Sequence, residues 1–269
     1  MKIIETFLLG KQNNPLTCED GLVIGKELIA VIDGVTSSGK VMYDGKKGGC
    51  YAKDLLVEFL AGDDAAGLPK EELLNELNRV IREAVGKHPQ NPASFEYPRA
   101  NVIIYNNIYH EIWKYGDCQC SINGEVFSQE KEIDTIHGKL RAMWLETELL
   151  LGKSMEEIRA NDVGRKFIQD SLVRQRLLEN RKVPMGFPVI NGTEIESSFI
   201  QTFAVKEGDE IVLATDGYPD LKGTLAESEN ALAGILEADP LCFRTNISTK
   251  GIQGNDISYD DRCYCRFVV

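Results

Sequence analysis

The chain has 269 residues, of which 43% are hydrophobic and 27% charged, a composition typical of a folded globular protein. Its 42 acidic and 30 basic residues give a net charge of −12, which argues against partners such as nucleic acid or anionic membranes. No uncharged apolar run is long enough to cross a membrane, and residues 1–10 lack the features of a signal peptide. We therefore expect one cytoplasmic, monomeric domain spanning residues 1–269.

The predicted elements alternate between strands and helices. Apolar spacing and turn residues predict a strand over 5–9, a hairpin over 21–34, helices over 49–60 and 69–86, and strands over 100–106, 109–115 and 118–122. A helical insertion over 139–182 follows, then strands over 197–205 and 210–215, a helix over 226–237 and a last strand over 262–269. Because hairpins adjoin one another, a two-sheet fold of α and β elements is favoured over a parallel βαβ sheet.

The cysteines and histidines argue against a thiol or zinc site. None of the seven cysteines forms a C-x-x-C pair, and in a chain without an export signal we expect them to be reduced and buried. The spacing of Cys118/Cys120 and of Cys263/Cys265 places each pair on one face of a strand. The three histidines lie far apart, which argues against a zinc enzyme or a histidine-based triad.

Acidic residues recur at the predicted strand ends. They form four groups: Glu19-Asp20, Asp33-Gly34, Asp216-Gly217 and Asp260-Asp261. One Asp-Gly pair is ordinary turn chemistry, but two that directly follow apolar strands, together with two acidic doublets, favour a site. Converging carboxylates repel one another unless a cation neutralises them, and Mg²⁺ and Mn²⁺ prefer such oxygen ligands.

Five stretches resemble, in order, the motifs of the metal-dependent serine/threonine protein phosphatases of the 2C type. They are Cys18-Glu19-Asp20-Gly21, Val31-Ile32-Asp33-Gly34, Tyr115-Gly116-Asp117-Cys118, Thr215-Asp216-Gly217 and Asp260-Asp261-Arg262. The resemblance implies an α+β fold, an α-β-β-α sandwich of two packed antiparallel β-sheets flanked by helices. It also implies hydrolysis of phosphoserine and phosphothreonine in a phosphoprotein substrate, by a metal-bound water and without a covalent intermediate.

The same resemblance implies a set of metal ligands for two Mg²⁺ or Mn²⁺ ions. Asp33 would bridge both ions, and Glu19 with the carbonyl of Gly34 would complete one site. Asp216 and Asp260 would complete the other, with Asp260 preferred over its competitor Asp256 because an acidic pair before the last strand is the family's arrangement. Asp117 would help to hold a third, weaker ion, and Asp20 would orient its neighbours without binding metal.

The chain departs from the family pattern where phosphate is held. Residues 35–39 replace the usual glycine- and histidine-containing stretch, so no histidine can act there as general acid. Residues 13–15, Asn-Asn-Pro, stand where an arginine often binds phosphate, which leaves Lys11 as the nearest cation and a candidate substrate ligand. The Gly-Asp-Ser-Arg stretch of the family is Gly-Asp-Cys-Gln at 116–119.

Three other functions compete with this interpretation. A P-loop kinase through Gly34–Lys40 lacks the hydroxyl at Val41, and a dehalogenase-type phosphatase with Asp33 as nucleophile lacks its acid at Val35. A catalytically silent module that binds a phosphorylated partner stays open, since the usual arginine and histidine are missing. The insertion over 139–182 carries ten basic and seven acidic residues, which fits a solvated helix surface or a flap that docks a phosphoprotein.

Overall fold

Ten strands and six helices form the computed structural model, which describes residues 1–37, 39–90 and 92–269. The strands are β1 Lys2–Leu9, β2 Asp20–Ile24, β3 Leu28–Gly34, β4 Ala100–Asn106, β5 Glu111–Tyr115, β6 Gln119–Ile122, β7 Glu125–Phe127, β8 Gln201–Ala204, β9 Glu210–Ala214 and β10 Arg262–Val268. The helices are α1 Gly48–Leu60, α2 Lys70–Gly86, α3 Glu132–Leu150, α4 Met155–Ala160, α5 Val163–Arg174 and α6 Leu225–Ala238.

The strands form two five-stranded antiparallel sheets. One has the order β1-β10-β9-β6-β7 and the other the order β2-β3-β4-β5-β8. The predicted hairpin is β2 and β3, in which Ile24 pairs with Ile29. The Asn123-Gly124 turn joins β6 to β7, and both of its residues have the positive φ that a two-residue hairpin turn requires.

Strand β3 shows why the sheets pack into layers. Ile29 and Val31 face the second sheet, whereas Ala30 and Ile32 face the helices α1 and α2. The continuous apolar run of β3 thus comes from burial on both faces, as predicted. The four paired cysteines lie in the core between the sheets, and all seven cysteines of the chain are buried and free.

Helix α6 covers the outer face of the other sheet, where Leu232 packs in one cluster with Val212 and Tyr264. The layers therefore run helix, sheet, sheet, helix, which confirms the predicted α+β sandwich. No helix within the described ranges is long and apolar enough to span a membrane.

Two predicted boundaries were wrong. The helical insertion begins at Glu132, not at 139, and its last turn ends at Leu178. Gly138 lowers helix propensity in this first stretch, and it packs closely against the loop before β10, where a Cβ would lie 3.2 Å from Ile247 Cγ2. The strand predicted over 197–205 is a 3₁₀ turn, Ser197–Phe199, followed by the short β8.

Candidate metal centre

The acidic turns meet at one end of the sandwich. Asp33 lies at the end of β3, Asp117 in the turn between β5 and β6, Asp216 just after β9, and Asp260 just before β10. All four line one cleft of about 280 Å³, and residues of the helical insertion also line it. Antiparallel pairing explains the convergence. The last residues of β3 and β9 and the first residues of β10 lie at the same end of the sandwich.

Asp33, Asp117 and Asp216 form the tightest group. Each offers a carboxylate oxygen, and the three oxygens lie within 4.8 Å of one another. Mg²⁺ binds oxygen at about 2.1 Å, so opposite ligands in its octahedron are about 4.2 Å apart, a spacing that small side-chain adjustments reach here. One oxygen of Asp117 is buried and accepts no hydrogen bond from the described residues, so it has a lone pair available for a cation.

The crowding of carboxylates perturbs Asp33 and Asp216. Burial, then the negative charges of Asp117 and Asp260, raise the pKa of Asp33 to about 7. Desolvation of Asp216 by the surrounding protein, then the charges of Asp33 and Asp117, raise its pKa as well, although its side chain is still exposed to solvent at the mouth of the site. Asn101, directly opposite Asp33 on β4, donates a hydrogen bond of 3.1 Å to its carboxylate and fixes its orientation. Both groups therefore favour a cation as neighbour.

Asp20, predicted to orient its neighbours, lies next to this group, directly opposite Asp33 on the paired strands β2 and β3. It is buried at the start of β2 and accepts a 2.6 Å hydrogen bond from Thr215 Oγ1. The same hydroxyl oxygen accepts a 2.9 Å bond from the backbone N–H of Cys263. Thr215 therefore joins β9 and β10 of one sheet to β2 of the other, immediately beside Asp216.

Glu19 and Asp260 contact lysines and lie outside the group of Asp33, Asp117 and Asp216, called here the three-carboxylate group. Lys11 Nζ lies 3.1 Å from Asp260, and 3.5 Å from both Glu19 and Asp261. Lys250 Nζ lies 2.5 Å from the other oxygen of Asp260. Although burial opposes ionisation of Asp260, Lys250 and Lys11 lower its pKa to about 2.

Two glycines let the backbone close around Glu19. The N–H of Gly34 donates to the carbonyl of Glu19 at 2.9 Å, and a Cβ on Gly34 would lie 2.4 Å from the carbonyl oxygen of Gly49. A Cβ on Gly49 would lie 2.4 Å from Glu19 Oε1. Glu19 therefore sits against the first turn of α1, where Thr36 Oγ1 also donates to it at 2.5 Å.

A row of cations faces the carboxylates. Lys131 Nζ lies 2.6 Å from Asp117, and the insertion contributes Arg165 and Arg176 to the cleft. Arg165 donates to the carbonyl of Thr249 at 2.9 Å and forms no ion pair within the described ranges. The cleft is therefore lined by basic groups as well as by the three carboxylates, a combination suited to a phosphate ester.

The predicted site residues thus divide into two groups. Asp33, Asp117 and Asp216 are brought together, with Gly34 and Asp260 in the same cleft, whereas Asp256 lies on a separate surface beside Gln12. Lys11 lies at the carboxylates, as expected for the nearest cation, but it is bound to Glu19, Asp260 and Asp261.

The P-loop alternative does not fit the local structure. Residues 39–47 form turns and an isolated bridge, and α1 begins only at Gly48, so no helix N-terminus follows Lys40 as a P-loop requires. Ser38 of that motif lies outside the described residues.

Sequence reasoning missed Asn101, Lys131 and Lys250. Only Asn101 had a usable signal, since residue 101 lies on the strand paired with β3, directly across from Asp33. The two lysines belong to irregular segments whose path no periodic pattern predicts.

No family model and no curated protein matches the sequence. Among solved structures, the serine/threonine phosphatase Stp1 from Staphylococcus aureus superposes with a TM-score of 0.50 at 11% identity, covering 98% of this chain and 94% of that one. The serine/threonine phosphatase PstP/Ppp of Mycobacterium tuberculosis gives 0.49 at 15% identity, covering 98% and 97%. The catalytic domain of the serine/threonine protein phosphatase PstP, in complex with two manganese ions, gives 0.49 at 13% identity over the full length of both chains. The chain has the fold of Stp1, and this confirms the architecture implied by the resemblance to the 2C-type phosphatases.

Proposed function

We propose that the chain is a metal-dependent phosphatase that hydrolyses phosphoserine and phosphothreonine in proteins. The observation that carries the proposal is the group of Asp33, Asp117 and Asp216, whose oxygens lie within 4.8 Å of one another in a cleft. These residues come from three separate turns, in the order that the 2C-type motifs have along the chain. The fold supports the same interpretation.

The donor set fits a hard divalent ion such as Mg²⁺ or Mn²⁺. It consists of carboxylate oxygens alone, and Asp117 has a buried oxygen that accepts no hydrogen bond from the described residues. A divalent ion bound there supplies a Lewis acid that neutralises a phosphoryl group and makes water a better nucleophile.

The chain's own residues supply the rest of the site. Asn101 orients Asp33, Thr215 fixes Asp20 opposite it, and Lys131 holds Asp117 at 2.6 Å. Lys250 and Arg165 line the cleft with N–H groups that can bind phosphate oxygens. A phosphorylated side chain would enter between these basic groups and the carboxylates, and the narrow cleft would exclude bulk water around it.

The test is metal-dependent hydrolysis by the purified chain. We expect p-nitrophenyl phosphate and a phosphothreonine peptide to be hydrolysed with Mn²⁺ or Mg²⁺ and not with EDTA. Asp33→Asn and Asp216→Asn should each lower kcat by at least about a hundredfold, since each removes a charged ligand from the ion. Asp63→Asn, a change at an exposed aspartate outside the cleft, is the matched control and should leave kcat unchanged.

Absence of metal-dependent hydrolysis from a normally folded chain would overturn the proposal. Binding of the phosphopeptide in that case, measured by isothermal titration, would favour the silent module that recognises a phosphorylated partner. Hydrolysis that persists in both aspartate variants would place the reaction elsewhere in the molecule.

A further inference from the structure

Ammonium groups contact Glu19 and Asp260, one carboxylate from each of the two ion sites that the resemblance implies. Lys11 Nζ lies 3.1 Å from Asp260 and 3.5 Å from Glu19, and Lys250 Nζ lies 2.5 Å from Asp260. Both lysines are largely buried, with 16% and 21% of their side chains exposed. These contacts are interior features of the site and not fluctuating surface ion pairs.

Three of the four carboxylate oxygens of Asp260 and Glu19 are engaged by the described residues, and Glu19 Oε1 is the one that accepts no hydrogen bond from them. One oxygen of Asp260 accepts from Lys11 and from the backbone N–H of Asp261, and the other contacts Lys250. One oxygen of Glu19 accepts from Thr36 and Lys11, and the other lies buried against Gly49. A divalent ion at Asp260 would compete with Lys11 and Lys250 for both carboxylate oxygens, and one at Glu19 would be repelled by the positive charge of Lys11.

The three-carboxylate group differs in this respect. Only Asp117 is paired there, with Lys131, and one of its oxygens has no partner among the described residues. Asp33 accepts one neutral hydrogen bond from Asn101. Within the described residues, the group of Asp33, Asp117 and Asp216 therefore has one lysine contact, at Asp117, whereas Lys11 and Lys250 contact Glu19 and Asp260, which the resemblance assigns to different ions.

We propose that Lys11 and Lys250 take the place of the second divalent ion, and that the chain binds a single ion at Asp33, Asp117 and Asp216. This inference rests on the metal site of the proposed function. An ammonium has three N–H donors. Lys11 uses its donors on Glu19, Asp260 and Asp261, whereas Lys250 contacts one carboxylate and has donors left for a phosphate oxygen in the cleft.

The experiment counts bound ions. Chain stripped with EDTA is titrated with Mn²⁺, and free Mn²⁺ is measured by electron paramagnetic resonance. We expect one tight ion per wild-type chain. In Lys250→Met, the loss of a positive charge beside Asp260 should tighten binding of a second ion by at least about tenfold. Lys153→Met, which removes an ion-paired lysine of the insertion outside the cleft, is the matched control and should behave as wild type.

Two ions of similar affinity in the wild type would overturn the inference, as would an unchanged second affinity in Lys250→Met. If that variant does not fold, the wild-type count decides alone. Because the count needs no turnover, the two proposals fail separately. One bound ion without hydrolysis would overturn the proposed phosphatase function. Hydrolysis with two equivalent ions would overturn only the proposal that lysines replace the second ion.

Discussion

Asp20 and Asp33 lie directly opposite each other on the paired strands β2 and β3. Residues opposite each other in an antiparallel pair have side chains on the same face, so two carboxylates approach closely in a largely buried place. Burial, then the charge of Asp33, raise the pKa of Asp20 well above its ordinary value. Thr215 partly offsets this by donating to Asp20. The pair makes the site electrostatically unfavourable without a cation.

The repulsion between these buried carboxylates predicts that the stability of the metal-free chain depends on pH. Asp33, with a pKa of about 7, keeps its proton in the folded chain at pH values where the unfolded chain has released it. The folded state thus binds more protons between about pH 4 and 7, so its free energy of unfolding falls as pH rises, by at most about 1.4 kcal/mol per pH unit for this group. Asp260, with its pKa near 2, acts in the opposite sense but only below about pH 4.

Urea unfolding in EDTA at pH 5.5, 6.5 and 7.5 measures this slope. Asp33→Asn should make it shallower. Saturating Mn²⁺ should also reduce it, because the ion binds only the deprotonated carboxylates and stabilises the folded chain more at higher pH. An identical slope in wild type and Asp33→Asn would contradict the assignment.

Gly49 offers a separate test of how Glu19 is placed. Alanine there would favour the helix by up to about 1 kcal/mol, but its Cβ would lie 2.4 Å from Glu19 Oε1 and 2.8 Å from the carbonyl of Val35. The backbone carbonyl of Val35 cannot move away without shifting the chain around it. We therefore expect Gly49→Ala to destabilise the chain by about 1–3 kcal/mol. Gly86→Ala, at the exposed end of α2 with no atom within 4 Å of the new Cβ, is the matched control and should be neutral or stabilising. Denaturant midpoints compare the two variants.

Thr215 gives a third prediction, on the support behind the metal site. Its hydroxyl is fully buried and bonds both Asp20 and the N–H of Cys263. Thr215→Val keeps the shape but leaves both partners without this bond, at a cost of about 1–3 kcal/mol in the free energy of unfolding. Thr215→Ser retains the hydroxyl and should recover most of that loss. Equal stability of the valine and serine variants would show that the hydroxyl is not required.

The sequence predicted the strands that carry the acidic turns, because the apolar run of β3 leads directly into Asp33 and that of β9 ends two residues before Asp216. It also predicted the meeting of these turns, since the motif order implied the fold. The division of the carboxylates into a metal group and a lysine-bound group was not predictable. It depends on where the loop before β10 places Lys250, and that loop has no periodic pattern.

The start of the insertion shows a second limit. Gly138 and the β-branched residues before it weaken the helical signal, so propensity alone places the helix start too late. The helix nevertheless begins at Glu132, packs against α5 and contacts Ile247 at Gly138. At the start of α3, tertiary contacts therefore outweigh the low helix propensity of the local sequence.

The insertion also supplies the last prediction, which concerns Arg165. This arginine lines the cleft and donates to the carbonyl of Thr249, and burial, then the charge of Arg141, lower its pKa. Since it has no ion pair in the described part of the chain, its guanidinium has donors for a phosphate group.

Arg165→Met should therefore raise KM for a phosphothreonine peptide by about tenfold or more, with a smaller effect on kcat, because a charge-assisted contact to phosphate is worth about 1.5–3 kcal/mol. Arg159→Met is the matched control. Arg159 also donates to one backbone carbonyl, that of Gly254 at 2.9 Å, but it is exposed and lies outside the cleft. If both variants raise KM equally, the basic surface of the insertion acts by general attraction and Arg165 has no specific role. An unchanged KM in both variants would show that these arginines of the insertion do not bind the substrate. If only Arg165→Met raises KM, and it also weakens inhibition by orthophosphate, then the phosphate of the substrate binds beside Arg165.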